Sequence, residues 1–236
     1  MHLGILQCDH VRDELRPEFG DYPDMFQQLL SREDPTLTFH VYDLTAEVFP
    51  RTADECDAWL FTGSKWSVYD DDPWIRHAEA FAADLHAQRR PTVGICFGHQ
   101  LIAQALGGRV RKATDVGWGV GVHTANILDS RAWMYPSVER LALVVSHQDQ
   151  VVELPREAVR LAGHGFCPND IYQIGDHIIG FQGHPEFPKA YSRATMERRR
   201  AIIGEDTYRA GVESLSQPID ETVAAAWILR FLAGAA

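Results

Sequence analysis

The sequence predicts an α/β protein with a mostly parallel central sheet flanked by helices and extra antiparallel strands in its second half. Three observations predict it. Short, almost wholly apolar segments alternate with amphipathic helical stretches through the first hundred residues, and strands apolar on both faces belong to parallel sheets covered by helices. One strand passes straight into a helix at Gly94-Ile95-Cys96-Phe97-Gly98, with no spacer. After residue 108 the alternation stops, and strand-like segments separated by Gly, Asp or Pro turns replace it.

In chain order, Leu3–Cys8 reads as a strand. Residues 23–30 carry Met25, Phe26, Leu29 and Leu30 at helical spacing after Pro23. Residues 37–44 alternate as a strand, and Ala58–Phe61 is a four-residue apolar strand closed by Thr62-Gly63-Ser64. Residues 73–89 form a helix that starts at Pro73 and lines up Trp74, Ile75, Ala78, Phe81, Ala82 and Leu85. Residues 92–96 are a buried strand, followed by a helix over 98–106 that ends at Gly107-Gly108. Segments 118–128, 141–145, 158–163 and 171–182 read as single strands, and helices over 188–203 and about 218–233 close the chain. With no repeat, low-complexity tract or linker, residues 1–236 are expected to form one domain, a core to about 187 and a helical tail beyond it.

Composition excludes several classes. The 22 Lys and Arg against 33 Asp and Glu give a net charge of −11. That balance argues against nucleic-acid partners, which need a basic stripe, and against anionic membrane surfaces. The only basic cluster, Arg198-Arg199-Arg200, reads as a solvated helix face beside Glu197. No apolar run reaches the ~20 residues that span a bilayer, and the first residues lack the pattern of a signal peptide. Cys8, Cys56, Cys96 and Cys167 are widely spaced, with no C-x-x-C pair. A reducing, cytoplasmic location is the expectation, with no metal site and no cofactor.

The most informative stretch is Val93-Gly94-Ile95-Cys96-Phe97-Gly98-His99-Gln100. Glycines at −2 and +2 from Cys96 match a nucleophile elbow with a thiol in place of the hydroxyl. They let the chain turn tightly and hold the central residue in a strained conformation. A free thiol is only about 3% thiolate at pH 7, and a helix N-terminus or a nearby imidazolium increases that fraction. The competing reading is a buried structural cysteine in a tight turn, which is also the reading for the other three. Downstream, His184 and Glu186 flank Pro185 at the end of an apolar strand. A carboxylate at that spacing can orient one imidazole nitrogen and leave the other to take the thiol proton. By itself this trio reads more often as a loop ion pair than as a catalytic pair.

Gly94-Ile95-Cys96-Phe97-Gly98-His99-Gln100 and Gly183-His184-Pro185-Glu186 together resemble the G-x-C-x-G-x-Q and His-x-Glu motifs of the class I glutamine amidotransferases. The resemblance runs from the first strand to about residue 187. It implies a flavodoxin-like three-layer fold and a thiol hydrolase of a γ-glutamyl amide bond, acting through a γ-glutamyl thioester. Cys96 would be the nucleophile, His184 the base and then the acid, and Glu186 its orienting carboxylate. The backbone N–H groups of Gly63 and Phe97 would form the oxyanion hole, with Thr62-Gly63-Ser64 as the first turn. Gln100, Ser146 and His147 would hold the glutamyl end, the latter two within a Ser-His-x-Asp loop ending at Asp149. The residues around Gly63, Cys96 and His147 are most similar to γ-glutamyl peptidase-like members, and the family also includes the glutaminase domains of GMP synthases. The implied partner is a small γ-glutamyl compound.

Two other readings stay open. A glutaminase subunit would hand ammonia to a separate synthetase, a partner compatible with the motifs but not implied by them. A catalytically silent binding protein of the same fold would need neither Cys96 nor His184. The chain has no G-x-x-x-x-G-K-[ST] phosphate loop and no G-x-S-x-G serine elbow. Loops 64–73 and 112–121 are expected to set specificity. The first, with Trp66, Tyr69 and Asp70-Asp71-Asp72, reads either as a gate or as a solvated helix-capping loop. Oligomeric state, leaving group and pathway are not legible in the residues.

Overall fold

The computed structural model describes residues 1–234. Along the chain β1 (His2–Gln7) leads through α1 (Arg16–Phe19) and α2 (Tyr22–Glu33) to β2 (Thr38–Asp43). There follow β3 (Ala58–Phe61), α3 (Pro73–Ala87), β4 (Thr92–Ile95) and α4 (Phe97–Ala105). The second half holds β5 (Arg109–Lys112), β6 (Gly119–Ile127), β7 (Arg140–His147), β8 (Asp149–Glu153), β9 (Ala158–Gly163), β10 (Ile171–Ile174) and β11 (Ile178–Phe181). It closes with α5 (Lys189–Ile203), α6 (Glu205–Ser214) and α7 (Glu221–Leu232).

Nine strands form one sheet in the order β2-β1-β3-β4-β11-β10-β9-β6-β7. Its first five strands are parallel, with Ile5 opposite both Val41 and Leu60, Phe61 opposite Gly94, and Ile95 opposite Phe181. The last four pair antiparallel, and β5 and β8 make a separate ribbon. The period of two along each strand sorts side chains to opposite faces. Leu3 and Ile5, Ala58 and Leu60, Val93 and Ile95, Ile179 and Phe181 enter one core with Phe26 of α2 and Trp227 of α7. Leu6, Trp59, Phe61 and Ile178 enter a second core with Ile75 and Phe81 of α3 and Leu101 of α4. The three-layer α/β arrangement is therefore as the sequence predicts. Asp21 caps α2 in a capping box with Asp24.

Three expectations change. The run 171–182 is a hairpin, β10 and β11, turning at Gly175, whose φ is 55°. The Gly-Asp pair at 175–176 inside an otherwise apolar run is the turn signal. The C-terminal segment holds three helices instead of two. Here α6 is mostly polar and packs through Gly211, where an added Cβ would stand 2.8 Å from Val120 Cγ2. Finally, α7 is no appendage: Ala224, Trp227 and Ile228 are fully buried in the same core as β1 and β4, and Trp227 Nε1 donates to the Pro136 carbonyl at 2.9 Å.

Candidate active site

The neighbouring strands β1, β3, β4 and β11 all end at the same edge of the sheet, the edge where open parallel sheets place their sites. The residues just beyond those ends are Asp9, Gly63, Cys96 and His184. Parallel pairing thus gathers groups that lie far apart in sequence.

Cys96 is held in a tight join. Its N–H donates to the Phe181 carbonyl at 2.8 Å, and the Gly98 N–H donates to the Thr62 carbonyl at 3.2 Å. Between these bonds the chain reverses from strand to helix, which leaves Cys96 at φ 51° and ψ −97°. A non-glycine residue held there costs about 1–3 kcal/mol, sustained by the surrounding structure. Both flanking glycines are required by contact. A Cβ on Gly94 would lie 2.5 Å from the Gly98 carbonyl, and one on Gly98 would lie 2.5 Å from Phe61 Cβ. The sulfur sits at the first turn of α4 and lines a cavity. Burial raises the thiol pKa of Cys8, Cys56 and Cys167, which keeps those three protonated.

His184 comes from the turn after β11, anchored by its N–H donating to the Val144 carbonyl at 2.7 Å. Its Nδ1 is 2.8 Å from Glu186 Oε1, and both side chains are buried. An ionised carboxylate only accepts, so Nδ1 carries the proton and Nε2 is left for chemistry. The ring stacks on Phe187 at 3.8 Å between centroids with an 8° tilt, which fixes its plane. Burial alone would push the imidazole pKa down. The Glu186 carboxylate, with the Cys96 sulfur, outweighs it and raises the pKa above the ordinary value, which favours an imidazolium. Glu186 Oε2 has no partner among the described residues, so His184 is the main compensation for that buried charge. Gly63 closes the group: a Cβ there would stand 2.7 Å from His184 Cε1 and 3.6 Å from Cys96 Cβ. Thr62 fixes this turn, its Oγ1 accepting from the Cys8 N–H at 2.9 Å and donating to the Gly63 carbonyl at 3.1 Å.

The other expected residues divide. Cys96, Gln100, Ser146 and His147 line one cavity of about 170 Å³, while Gly63, Ser146 and His184 line a small adjoining one. Phe97 lines neither cavity, and its ring is buried against Trp74. Gln100 spends both Nε2 hydrogens, on the Asp149 carbonyl at 2.8 Å and on Gln182 Oε1 at 3.1 Å. Its carbonyl oxygen remains, and that atom can accept from an ammonium but cannot grip a carboxylate. His147 Nδ1 is bonded to the Asp149 carbonyl, and burial pushes its pKa down to about 3, so the ring is neutral. Ser146 and His147 end β7, and Asp149 starts β8, so the expected loop is a corner between strands.

Loop 64–73 is tied down at both ends of its aromatic run. Ser67 Oγ and Tyr69 OH donate to the Asp149 carboxylate at 2.6 and 2.9 Å, and Lys65 Nζ donates to Asp9 Oδ1 at 2.6 Å. It forms the wall of the cavity, and Asp72 makes no side-chain cap on α3.

Arg199 corrects the reading of 198–200 as a solvated face. Arg198 and Arg200 do pair outward, with Glu14 and Glu205. Arg199 instead turns inward, donates to Ser146 Oγ at 3.1 Å and lies over the Trp118 ring. A triple arginine on one helix points three ways, about 100° apart, so the three cannot share one solvated face. Among the described residues no three His, Cys, Asp or Glu side chains gather as a metal site, and no helix is long and apolar enough to cross a membrane.

The family model for glutamine amidotransferase class I matches residues 26–202, which include every strand from β2 to β11 and the residues Gly63, Cys96, His184 and Glu186. The chain belongs to the class I glutamine amidotransferase family. Among relatives of this chain, gamma-glutamyl peptidase 2 of Arabidopsis thaliana is 30% identical over 204 residues, covering 84% of this chain and 81% of that protein. A GMP synthase of Aeropyrum pernix is 30% identical over 192 residues, 78% of this chain but 35% of that longer protein. A solved glutamine amidotransferase from Thermotoga maritima shares the fold, with a TM-score of 0.73, 21% identity, and coverage of 99% of this chain and 97% of that one. These relatives point to an enzyme.

Proposed function

We propose that this amidotransferase is a thiol hydrolase of γ-glutamyl amide bonds. The observation that carries the reading is the buried Cys96–His184–Glu186 array, with the sulfur on a strained elbow and the imidazole polarised from behind. The Cys96 thiolate adds to the γ-carbonyl carbon. The N–H groups of Gly63 and Phe97, neither bonded elsewhere among the described residues, receive the oxyanion. His184 Nε2–H protonates the departing nitrogen as the C–N bond breaks, leaving a γ-glutamyl thioester. Water then loses a proton to His184 Nε2, attacks the thioester carbon, and the C–S bond breaks to restore the thiolate. Glu186 accepts from the Nδ1 proton throughout and stabilises the imidazolium. Gln100, Ser146 and His147 position the glutamyl end, Gln100 through its free carbonyl oxygen.

Similarity to gamma-glutamyl peptidases supports hydrolysis without a partner. The similarity to GMP synthases supports a second reading, in which ammonia passes to a synthetase. Purified chain is expected to hydrolyse glutamine or a γ-glutamyl peptide alone, and Cys96→Ala to abolish it. Activity unaffected by Cys96→Ala rejects the nucleophile. Hydrolysis that appears only with an added synthetase favours the second reading.

A further inference from the structure

Beyond the cavity that holds Cys96 lies a second and larger one, about 310 Å³, between the segment after β1 and the helix α5. A small cavity lined by Gly63 and His184 borders both, and Lys65 and Arg199 line all three. The direction of the reaction assigns their roles. Cys96 and Gln100 line the first cavity, so the acyl half of the substrate lies there. The group that protonates the leaving nitrogen is His184, and it lines the small cavity that borders the second. The amine half therefore departs into the second cavity. Ammonia is about the size of a water molecule, whose share of liquid volume is about 30 Å³, and it needs no space of this kind.

Two of the cations that line the second cavity stand without a carboxylate partner. Lys65 is matched by Asp9 and Arg198 by Glu14, while His10 faces two carboxylates, Asp21 and Asp43, the first of which Arg16 also approaches at 3.9 Å. Arg12 and Arg199 have no carboxylate within ion-pair distance among the described residues, and the only side-chain acceptor of Arg199 is the neutral Ser146 hydroxyl. In a chain of net charge −11, two guanidiniums on one cavity wall without a carboxylate partner mark an anion site, and Arg199 also lines the small cavity at His184.

Resting on the hydrolase reading above, we propose that this cavity is a leaving-group subsite for a carboxylate, with Arg199 at its inner end and Arg12 at its mouth. The favoured substrates are then γ-glutamyl peptides whose leaving half is an amino acid with a free carboxylate, and glutamine is a poor substrate. Positive potential at the site comes from these side chains as well as from backbone N–H groups and the start of α4.

The test compares γ-glutamylglycine with γ-glutamylglycinamide, equal in size but lacking the leaving-side charge, for wild type, Arg12→Gln and Arg199→Gln. Wild type is expected to favour the acid in kcat/KM by on the order of 10- to 100-fold, the strength of a charge-assisted hydrogen bond. Each variant is expected to shrink that ratio toward one. Arg12 is exposed, so its replacement keeps the test intact if Arg199→Gln fails to fold. A wild-type ratio near one, or a ratio unchanged in Arg12→Gln and in every variant that folds, overturns the subsite while Cys96-dependent turnover leaves the hydrolase reading standing. No Cys96-dependent turnover of either compound overturns both.

Discussion

Glu186→Gln separates the charge on the carboxylate from its geometry. Gln can still accept from Nδ1–H through its carbonyl oxygen, so the tautomer and ring position of His184 are kept. What disappears is the negative charge. With Nδ1 and Oε1 2.8 Å apart, the charge centres are roughly 4 Å apart. At an effective dielectric of about 20 their attraction is about 4 kcal/mol, equivalent to about three pKa units. Burial then acts unopposed by Glu186 and pulls His184 down. The imidazolium is the form that protonates the leaving nitrogen, so its deprotonation sets the alkaline limb of the pH profile. The assay is kcat/KM against pH for a γ-glutamyl peptide, with far-UV circular dichroism to confirm folding. The limb is expected to move from about 10 to lower pH by roughly two to three units, and activity at pH 8 to fall by roughly 2- to 10-fold. Stability follows the same sign: a raised histidine contributes fully below its unfolded value near 6.5 and is lost as pH rises through the folded one, and that slope should flatten in the variant. A folded variant whose alkaline limb stays where it is in wild type refutes the electrostatic role given to Glu186.

Two further outcomes follow from the packing. Gly94→Ala places a Cβ 2.5 Å from the backbone of Gly98, which cannot move without opening the elbow; denaturant melts should show a loss of about 1–3 kcal/mol or more, together with lower activity. Asp170 is buried, Oδ1 has no partner among the described residues, and burial pushes its pKa up to about 7. Its folded form therefore holds a proton that the unfolded chain has released, so wild type loses stability as pH rises from about 4 to 7, by up to about 4 kcal/mol. Thermal melts of Asp170→Asn are expected to match wild type near pH 4 and to exceed it above pH 7; an advantage independent of pH would contradict the assignment.

The parallel half of the fold and the two motifs were legible because their signals are local. Apolar runs of four to six residues, a proline at the start of α3 and glycines two residues either side of Cys96 each declare a backbone state within a short window. Arg199 was hidden because the cue that matters is its partner, and Ser146 lies 53 residues away. The tie between loop 64–73 and Asp149 was hidden for the same reason, since a tyrosine, a serine and an aspartate carry no sign of one another in sequence. The helix α7 was visible as a helix, but its place at the sheet depends on the shape complement between Trp227 and residues such as Trp133, whose rings meet edge to face at 6.2 Å. The single-strand reading of 171–182 gave uniform hydrophobicity more weight than the Gly-Asp pair at its centre.

Intact-protein mass spectrometry of an acid-quenched steady-state reaction tests the central claim most directly. With a γ-glutamyl peptide as substrate, a fraction of wild-type chain should carry the added mass of one γ-glutamyl group, mapped by digestion to the peptide containing Cys96 and released by hydroxylamine. The same adduct should be missing from Cys96→Ser. Substrate turnover with no adduct under any quench, or an adduct on a residue other than Cys96, would contradict a thioester mechanism at this elbow.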